Sequence, residues 1–426
     1  MARAEEADRP VPSFVERELR GYLACGIPAH GFTWLQCESC KKNLVVAFSC
    51  KGRGFCPSCG GRRMNQTAAN LVDRVLPQVP VRQWVISFPM PLRFWLARRP
   101  KLRKAIRGVF VRVVRSWYRK QARAAGHKKP QFGGVCFAQL FGSSLNLNLH
   151  FHLLQLDGYY AWDEELARPL FHATAPPTTA DVERLVKTVQ RRVERALVYR
   201  GLYEVLDEEP AQDALFALQA ASASNRVAMG IRAGRKVRKL KLGRGRERKL
   251  PPLCAEAGYF NLHAGVQVRA DAPAARERIC RYVARPPLSH ARLKRHGDGD
   301  LALALKTPWS DGTSHVVLSE MELVEKVAAL VPTPNDNLVT YTGVLASAAK
   351  WRSLVVPAHE RFTAGGCQHG TAAPHTSWIP WNELLKRTFV PPTNCTSSRG
   401  SSTRSPGHAP LPSHVWPDVP EGRRAT

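Results

Sequence analysis

Between Ser143 and Tyr160 the chain reads SSLNLNLHFHLLQLDGYY, and from Leu145 to His152 apolar and polar residues alternate without a break. A period of two is that of a β-strand with one buried and one polar face. Leu145, Leu147, Leu149 and Phe151 are therefore expected in a core, while Asn146, Asn148, His150 and His152 share the opposite face. Two imidazoles one strand repeat apart can share a metal ion. His-x-His also occurs on ordinary wet sheet faces. Asparagine is depleted in strands, however, so the stripe Asn-x-Asn-x-His-x-His is unusual for a strand that only has to be wetted. Asp157-Gly158 ends the strand in a turn.

Other stretches supply the surroundings of that strand. Gln83 to Phe88 is a candidate strand ending at Pro89-Met90-Pro91, and Gly134 to Phe141 is the expected antiparallel neighbour across Gly142-Ser143-Ser144. Gln139 lies on that neighbour, and register decides whether it faces the histidines. Leu92 to Ala124 is a helical stretch dense in Arg and Lys, with Trp95, Phe110, Trp117 and Tyr118 expected mostly in the core. Thr179 to Leu197 is an amphipathic helix capped by Thr179 or Asp181. Asn225 to Lys249 is strongly basic, either a solvated mobile segment or a loop that tracks DNA. Tyr259 to Val268 returns to strand alternation and carries His263.

Asp271-Ala272-Pro273 reads as a helix start, and Pro286-Pro287 stops the helix. Tyr282 falls in its last turn, with Arg278, Arg281 and Arg285 close by in sequence. Such a tyrosine can be an ordinary packed aromatic with a wet hydroxyl. It becomes a nucleophile only where cations or a metal stabilise a phenolate and the phosphate it attacks. Beyond it, Leu301 to Leu305 and the following KTPWSDGTSHVVLS suggest two strands turning at Asp311-Gly312, and Glu320 to Leu330 a short helix.

Near the N-terminus Cys37-x-x-Cys40 is followed, after fifteen residues, by Cys56-x-x-Cys59. That spacing suits a zinc ribbon, each pair offering two thiolates to one tetrahedral ion. Leu44 to Phe48 can form a strand of the intervening hairpin. Cys25, His30 and Cys50 are left over, for a second site or for exchange with one of the four. Lys51, Arg53, Arg62 and Arg63 surround the knuckle and suit phosphate contact as well as they suit a solvated surface.

The chain of 426 residues has a formal net charge of +29, spread over most of its length. A charge of that sign and size points to a polyanion, above all nucleic acid. The start MARAEEADRP is too polar and acidic for a signal peptide, and no apolar run approaches the length of a membrane span. A reducing cytoplasm is expected, where eleven cysteines serve as metal ligands or small buried residues.

Three motifs in order resemble one family. FGSSLNLNLHFHLLQLDG is similar to the metal-binding HUH strand (His, hydrophobic, His) of rolling-circle transposases of the insertion-sequence ninety-one type; FSCKGRGFCPSC with RRM after it is similar to their N-terminal zinc domain; RYVARPPLSHARL resembles their tyrosine motif. Many members carry a second tyrosine four residues on, where this chain has Pro286, so it resembles the one-tyrosine branch. The block LVPTPNDNLVTYTGVLASAAKWR also resembles the family, but Asn335, Asp336 and Asn337 replace its usual Arg and His. The match fades through WNELLKRTF, and Val390 to Thr426 is Ser-, Pro-, Arg- and Thr-rich and expected to be disordered.

The resemblance implies an α+β chain. An N-terminal helix and zinc-binding domain would occupy residues 1–75, and an HUH-endonuclease-like antiparallel sheet with packed helices residues 76–300. An accessory α/β region would follow over 301–389, then a disordered tail over 390–426. It implies a DNA strand transferase working on single-stranded or extruded DNA at element ends. Tyr282 would attack and leave a 5′-phosphotyrosine. His150, His152 and a third ligand, His263 or Gln139, would hold Mg²⁺ or Mn²⁺, with structural zinc on Cys37, Cys40, Cys56 and Cys59. Lys51, Arg53, Arg62, Arg63, Arg278, Arg281 and Arg285 would meet DNA. A plasmid relaxase or replication initiator shares that chemistry. A non-enzymatic zinc-ribbon DNA-binding protein with a structural His-x-His belongs to another class, as does a metallohydrolase, which needs further His and Asp ligands.

Overall fold

A computed structural model describes residues 11–36, 43–199, 214–243, 245, 249–297 and 299–357. In chain order the elements are α1 (Ser13–Leu23), β1 (Phe32–Gln36), β2 (Asn43–Ala47), α2 (Pro57–Arg74), β3 (Val81–Ser87), α3 (Met90–Arg98), α4 (Pro100–Ala124), β4 (Gly133–Phe141), β5 (Leu147–Leu156), β6 (Gly158–Asp163), β7 (Arg168–Ala173), α5 (Thr179–Tyr199), α6 (Ala214–Ala223), β8 (Arg238–Lys241), β9 (Cys254–Ala257), β10 (Phe260–Val268), α7 (Pro273–Ala284), β11 (Leu293–His296), β12 (Asp300–Ala304), β13 (Thr313–Leu318), α8 (Glu320–Ala329), β14 (Val339–Gly343) and α9 (Arg352–Val355). Short 3₁₀ turns at Pro28–His30 and His290–Arg292 complete the series.

The alternating strand, β5, lies inside a six-stranded sheet of order β14-β4-β5-β3-β10-β9, and every pairing is antiparallel. Leu147, Leu149 and Phe151 are fully buried, as the period of two requires. One face of the sheet, with Trp84, Ile86, Phe151 and Leu153, packs under Phe94, Ile106, Phe110, Val114, Val186 and Val189 of α3, α4 and α5. The other, with Val81, Val135, Phe137, Leu154 and Leu156, packs under Ala68 and Leu71 of α2 and Ile279, Cys280 and Val283 of α7. Each such Leu or Phe contributes about 1.5–3 kcal/mol of transfer free energy. With helices on both faces, Leu153 to Leu156 are buried whichever way they point, and the alternation disappears there.

At the far end of β5 a buried polar network locks three strands together. Arg82 donates from Nε and Nη2 to the Asp157 carboxylate at 3.0 and 2.8 Å and from Nη1 to Ala264 O at 3.0 Å. Tyr118 and Gln267 donate to the same carboxylate at 2.8 and 2.6 Å. Every strong donor and acceptor is met, which is what makes a buried ion pair tolerable.

The rest is a β1–β2 hairpin, a β6–β7 hairpin and a four-stranded sheet of order β11-β12-β13-β8. Several boundaries differ from sequence expectation. The helical stretch from Leu92 breaks at Arg99, which is extended, because Pro100 cannot continue the ladder of α3 and instead opens α4. Helix α5 is capped by Thr178, whose Oγ1 accepts from Asp181 N while Asp181 accepts from Thr178 N. Asp271 does not cap α7; it pairs with Arg269. The basic segment after Asn225 is partly strand: β8 pairs with β13, and Arg238 binds Asp300 through both guanidinium nitrogens at 2.5 and 2.6 Å. The expected tail over 390–426 and WNELLKRTF lie outside the described residues. Among the described residues no helix is long and apolar enough to cross a membrane.

Candidate active site

Register decides what surrounds the two histidines. His150 pairs with Ser87 on β3 and Gln139 on β4, and His152 pairs with Val85 and Phe137. Directly paired residues share a face, so Gln139 faces the same way as both imidazoles. Helix α7 crosses that face and brings Tyr282 to it. The His150 and His152 ring centroids are 4.8 Å apart, and the Tyr282 ring stands 5.8 Å from His152, nearly perpendicular at 84°. The Arg285 guanidinium lies 4.3 Å and the Lys306 ammonium 4.8 Å from the Tyr282 ring centroid. Tyr282 remains 44% exposed, so a large substrate can reach it.

Hydrogen bonds hold the Nδ1 side of both imidazoles. His150 Nδ1 lies 2.7 Å from Asn148 O, which only accepts, so the proton is on Nδ1 and the Nε2 lone pair is open. His152 Nδ1 lies 2.7 Å from Gln83 Nε2, and the amide's oxygen and nitrogen are interchangeable by a half-turn of the side chain. Rotated to present its oxygen, that amide fixes the same tautomer on His152. Burial lowers His150 to about 4, and burial with the neighbouring His150 holds His152 well below the usual imidazole range. Both rings are therefore uncharged at neutral pH, the state that binds metals.

Gln139 is buried and donates from Nε2 to Val283 O at 2.8 Å and Tyr282 O at 3.3 Å, tying β4 to the end of α7. These are carbonyls a helix end leaves unpaired. His263 is not brought to the pair. It shares their face but is paired with Val85, so strand β3 separates it from His152.

The zinc-type cluster forms with different members from those the spacing suggested. Cys25, Cys50, Cys56 and Cys59 have their Sγ atoms within 4.8 Å of one another. The Cys25–Cys56, Cys25–Cys59 and Cys50–Cys59 sulfurs are 3.5, 3.7 and 3.4 Å apart, about what four thiolates around one tetrahedral zinc require. Cys56 and Cys59 open α2 as expected. Their companions are Cys25 just after α1 and Cys50 just after β2, because the β1–β2 hairpin returns the chain to the end of α1. Cys37 and Cys40 lie outside the described residues, and His30 is exposed.

Comparison with known families accords with this arrangement. Residues 133–352, which hold both histidines and Tyr282, match the family described as "Putative transposase" (Y2_Tnp), and residues 2–88 match the transposase zinc-binding domain of the IS91 type. The chain belongs to the IS91-type transposases. No curated protein and no solved structure matches it.

The basic residues of this transposase fall into distinct settings. Arg285 stacks between Tyr282 and Phe141. Arg53 donates to Asp336 O at 2.6 Å, and Arg63 donates to Lys51 O at 3.2 Å. Lys51 is exposed and Arg62 half-buried. Arg278 is exposed on α7, while Arg281 turns away to Glu277 at 2.6 Å. Sequence reasoning passed over Gln83 and Lys306. Nothing in QWVISF or KTPW marks them; only the pairing of β3 with β5 and the approach of the β12 end to α7 reveal their place.

A divalent cation fits the histidine face. Among the described residues His152 Nε2 and Gln139 Oε1 are buried polar atoms with no hydrogen-bond partner. Orphans of that kind are costly unless something accepts their lone pairs. Two imidazole nitrogens and an amide oxygen suit Mn²⁺ better than the oxygen-preferring Mg²⁺.

Proposed function

We propose that this transposase cuts and rejoins single-stranded DNA at element ends through a 5′-phosphotyrosine on Tyr282. The observation that supports this reading is the 5.8 Å approach of the Tyr282 ring to His152, with Arg285 and Lys306 against the same phenol. The phenol oxygen attacks the scissile phosphorus and the bond to the 3′ oxygen breaks. The proton lost by the phenol is balanced by the one gained by the leaving 3′-hydroxyl. A phosphodiester is exchanged for a phosphotyrosyl ester, so the reverse reaction rejoins a strand without a nucleotide cofactor. Arg285 and Lys306 stabilise the phenolate and the phosphate as charge develops. His150, His152 and Gln139 would hold Mn²⁺ or Mg²⁺, which supplies charge to the scissile phosphate. Val283 and Tyr282 carbonyls gripped by Gln139 keep the nucleophile's helix against that site. An exposed backbone is needed for in-line attack, which favours single-stranded or extruded ends. The zinc knuckle, with Cys25, Cys50, Cys56 and Cys59 as ligands, would present Lys51, Arg53, Arg62 and Arg63 to the phosphates.

Covalent trapping tests the reading. Wild-type protein incubated with a single-stranded element end and Mn²⁺ is expected to give an SDS-resistant adduct that Tyr282→Phe and His152→Ala lack. An adduct undiminished in Tyr282→Phe would remove the tyrosine from the mechanism.

A further inference from the structure

Beside the tyrosine helix, and lined by neither histidine nor Tyr282, is a cleft of about 260 Å³. Its walls come from remote parts of the chain: the zinc knuckle and α2, strand β4, the end of α7, and the segments around α8 and β14. The floor is apolar, including Phe141, Pro286 and Pro287, and three guanidiniums, Arg53, Arg63 and Arg285, line it with no carboxylate among the lining residues. Their polar contacts are to backbone carbonyls of Asp336, of Lys51 and Gly52, and of Tyr282. Carbonyls do not neutralise a guanidinium; Glu18 and the knuckle cysteines act on Arg63 without lining the cleft, whose walls present an apolar bed and three guanidiniums.

That combination suits one chemical class, a nucleotide with its base unstacked: a flat apolar face and an anion attached to it. The cleft is also contiguous with the histidine face. Gln139 lines it and binds the carbonyls of Tyr282 and Val283, and Arg285 lines it while lying over the Tyr282 ring. The two helices that form it are held close. A Cβ on Gly60 of α2 would stand 2.5 Å from Pro286 Cβ, so only glycine lets α2 approach the end of α7. Thr67, two turns along α2 from Gly60, faces into the same space.

We infer that this cleft takes one unpaired nucleotide of the bound strand, adjacent to the phosphate that Tyr282 attacks. Its base lies on the apolar floor beside Pro286, against the Arg285 guanidinium, and its phosphate on Arg53 and Arg63. This rests on the single-strand reading above and adds a specific subsite to it. The zinc knuckle thereby forms one wall of the substrate site instead of acting as a separate DNA anchor.

The probe is a fluorescein-labelled oligodeoxyadenylate of roughly twenty nucleotides, longer than a single-strand site of this kind, followed by anisotropy on full-length protein. Thr67→Trp fills the cleft and is expected to weaken binding about tenfold, the loss of one stacked base, while Thr67→Ala binds within about twofold of wild type. Arg63→Gln is expected to reduce the salt slope of binding by about one. Thr67→Trp binding like wild type, equal losses in Thr67→Trp and Thr67→Ala, or an unchanged slope in Arg63→Gln would each overturn the subsite. Since none of these variants alters Tyr282, adduct formation by wild type reports separately on the nicking reading.

Discussion

At the residue scale, what suits His150 and His152 to the proposed metal is the partner behind each ring. Asn148 O, and the Gln83 amide turned to present Oε1, hold the Nδ1 atoms and leave the Nε2 atoms for the site. Gln83→Leu should raise the Mn²⁺ concentration for half-maximal nicking about 10–100-fold, the usual cost of removing a partner behind a metal-binding histidine. Gln83→Glu should restore most of it, because a carboxylate also accepts from Nδ1–H. Burial has a consequence for stability too. His150 is held at about 4, against 6.5 when unfolded, so the unfolded chain takes up a proton that the folded one refuses. Stability should therefore be unaffected above pH 6.5 and fall as pH drops from 6.5 towards 4. Urea midpoints of metal-free protein at pH 7 and pH 5 should separate more for wild type than for His150→Asn. Alternation told which face the histidines share, since parity along a strand is a local property. It could not exclude His263, because parity says nothing of strand order, and β3 was threaded between β5 and β10 from an earlier part of the chain.

At the scale of elements, charged groups join pieces of the fold. Asp336 forms a buried ion pair with Arg103 of α4. Arg103 also donates to Leu96 O and Ala97 O at 2.6 and 3.0 Å, and Arg53 reaches Asp336 O, so α3, α4, the zinc knuckle and the approach to β14 meet at one point. Asp336→Ala leaves a buried guanidinium unpaired and should cost about 3–5 kcal/mol, whereas the double change with Arg103→Met should recover most of that; urea unfolding measures both. Strands with strong alternation or β-branched runs were legible, as were the helices with proline or capping signals. The β8 strand was hidden because RKLK has the composition of a solvated run, and only Asp300 and the edge of β13 give it a place. Close approach is likewise invisible in sequence: a Cβ on Gly343, at φ +63°, would stand 1.7 Å from Phe132 O where β14 joins the sheet.

At the scale of the whole molecule, the four cysteines bind the N-terminal elements into one unit. Cys50→Ser should release zinc, measured by metal content after gel filtration, and lower the melting temperature, because a structural zinc site contributes directly to folding. The spacing of two CxxC pairs gave the kind of site but not its membership; Cys25 and Cys50 are brought in by the hairpin between them, a tertiary event. The same holds for the joint of α2 with α7, where Gly60 meets Pro286. Proline at that joint ends the helix one turn past the proposed nucleophile, and the helix carries one tyrosine. On the proposed mechanism, a protomer with this single phenol would carry one severed DNA end at a time. Moving an element with two ends would then require successive turnovers at one phenol, or a second copy to hold the other strand.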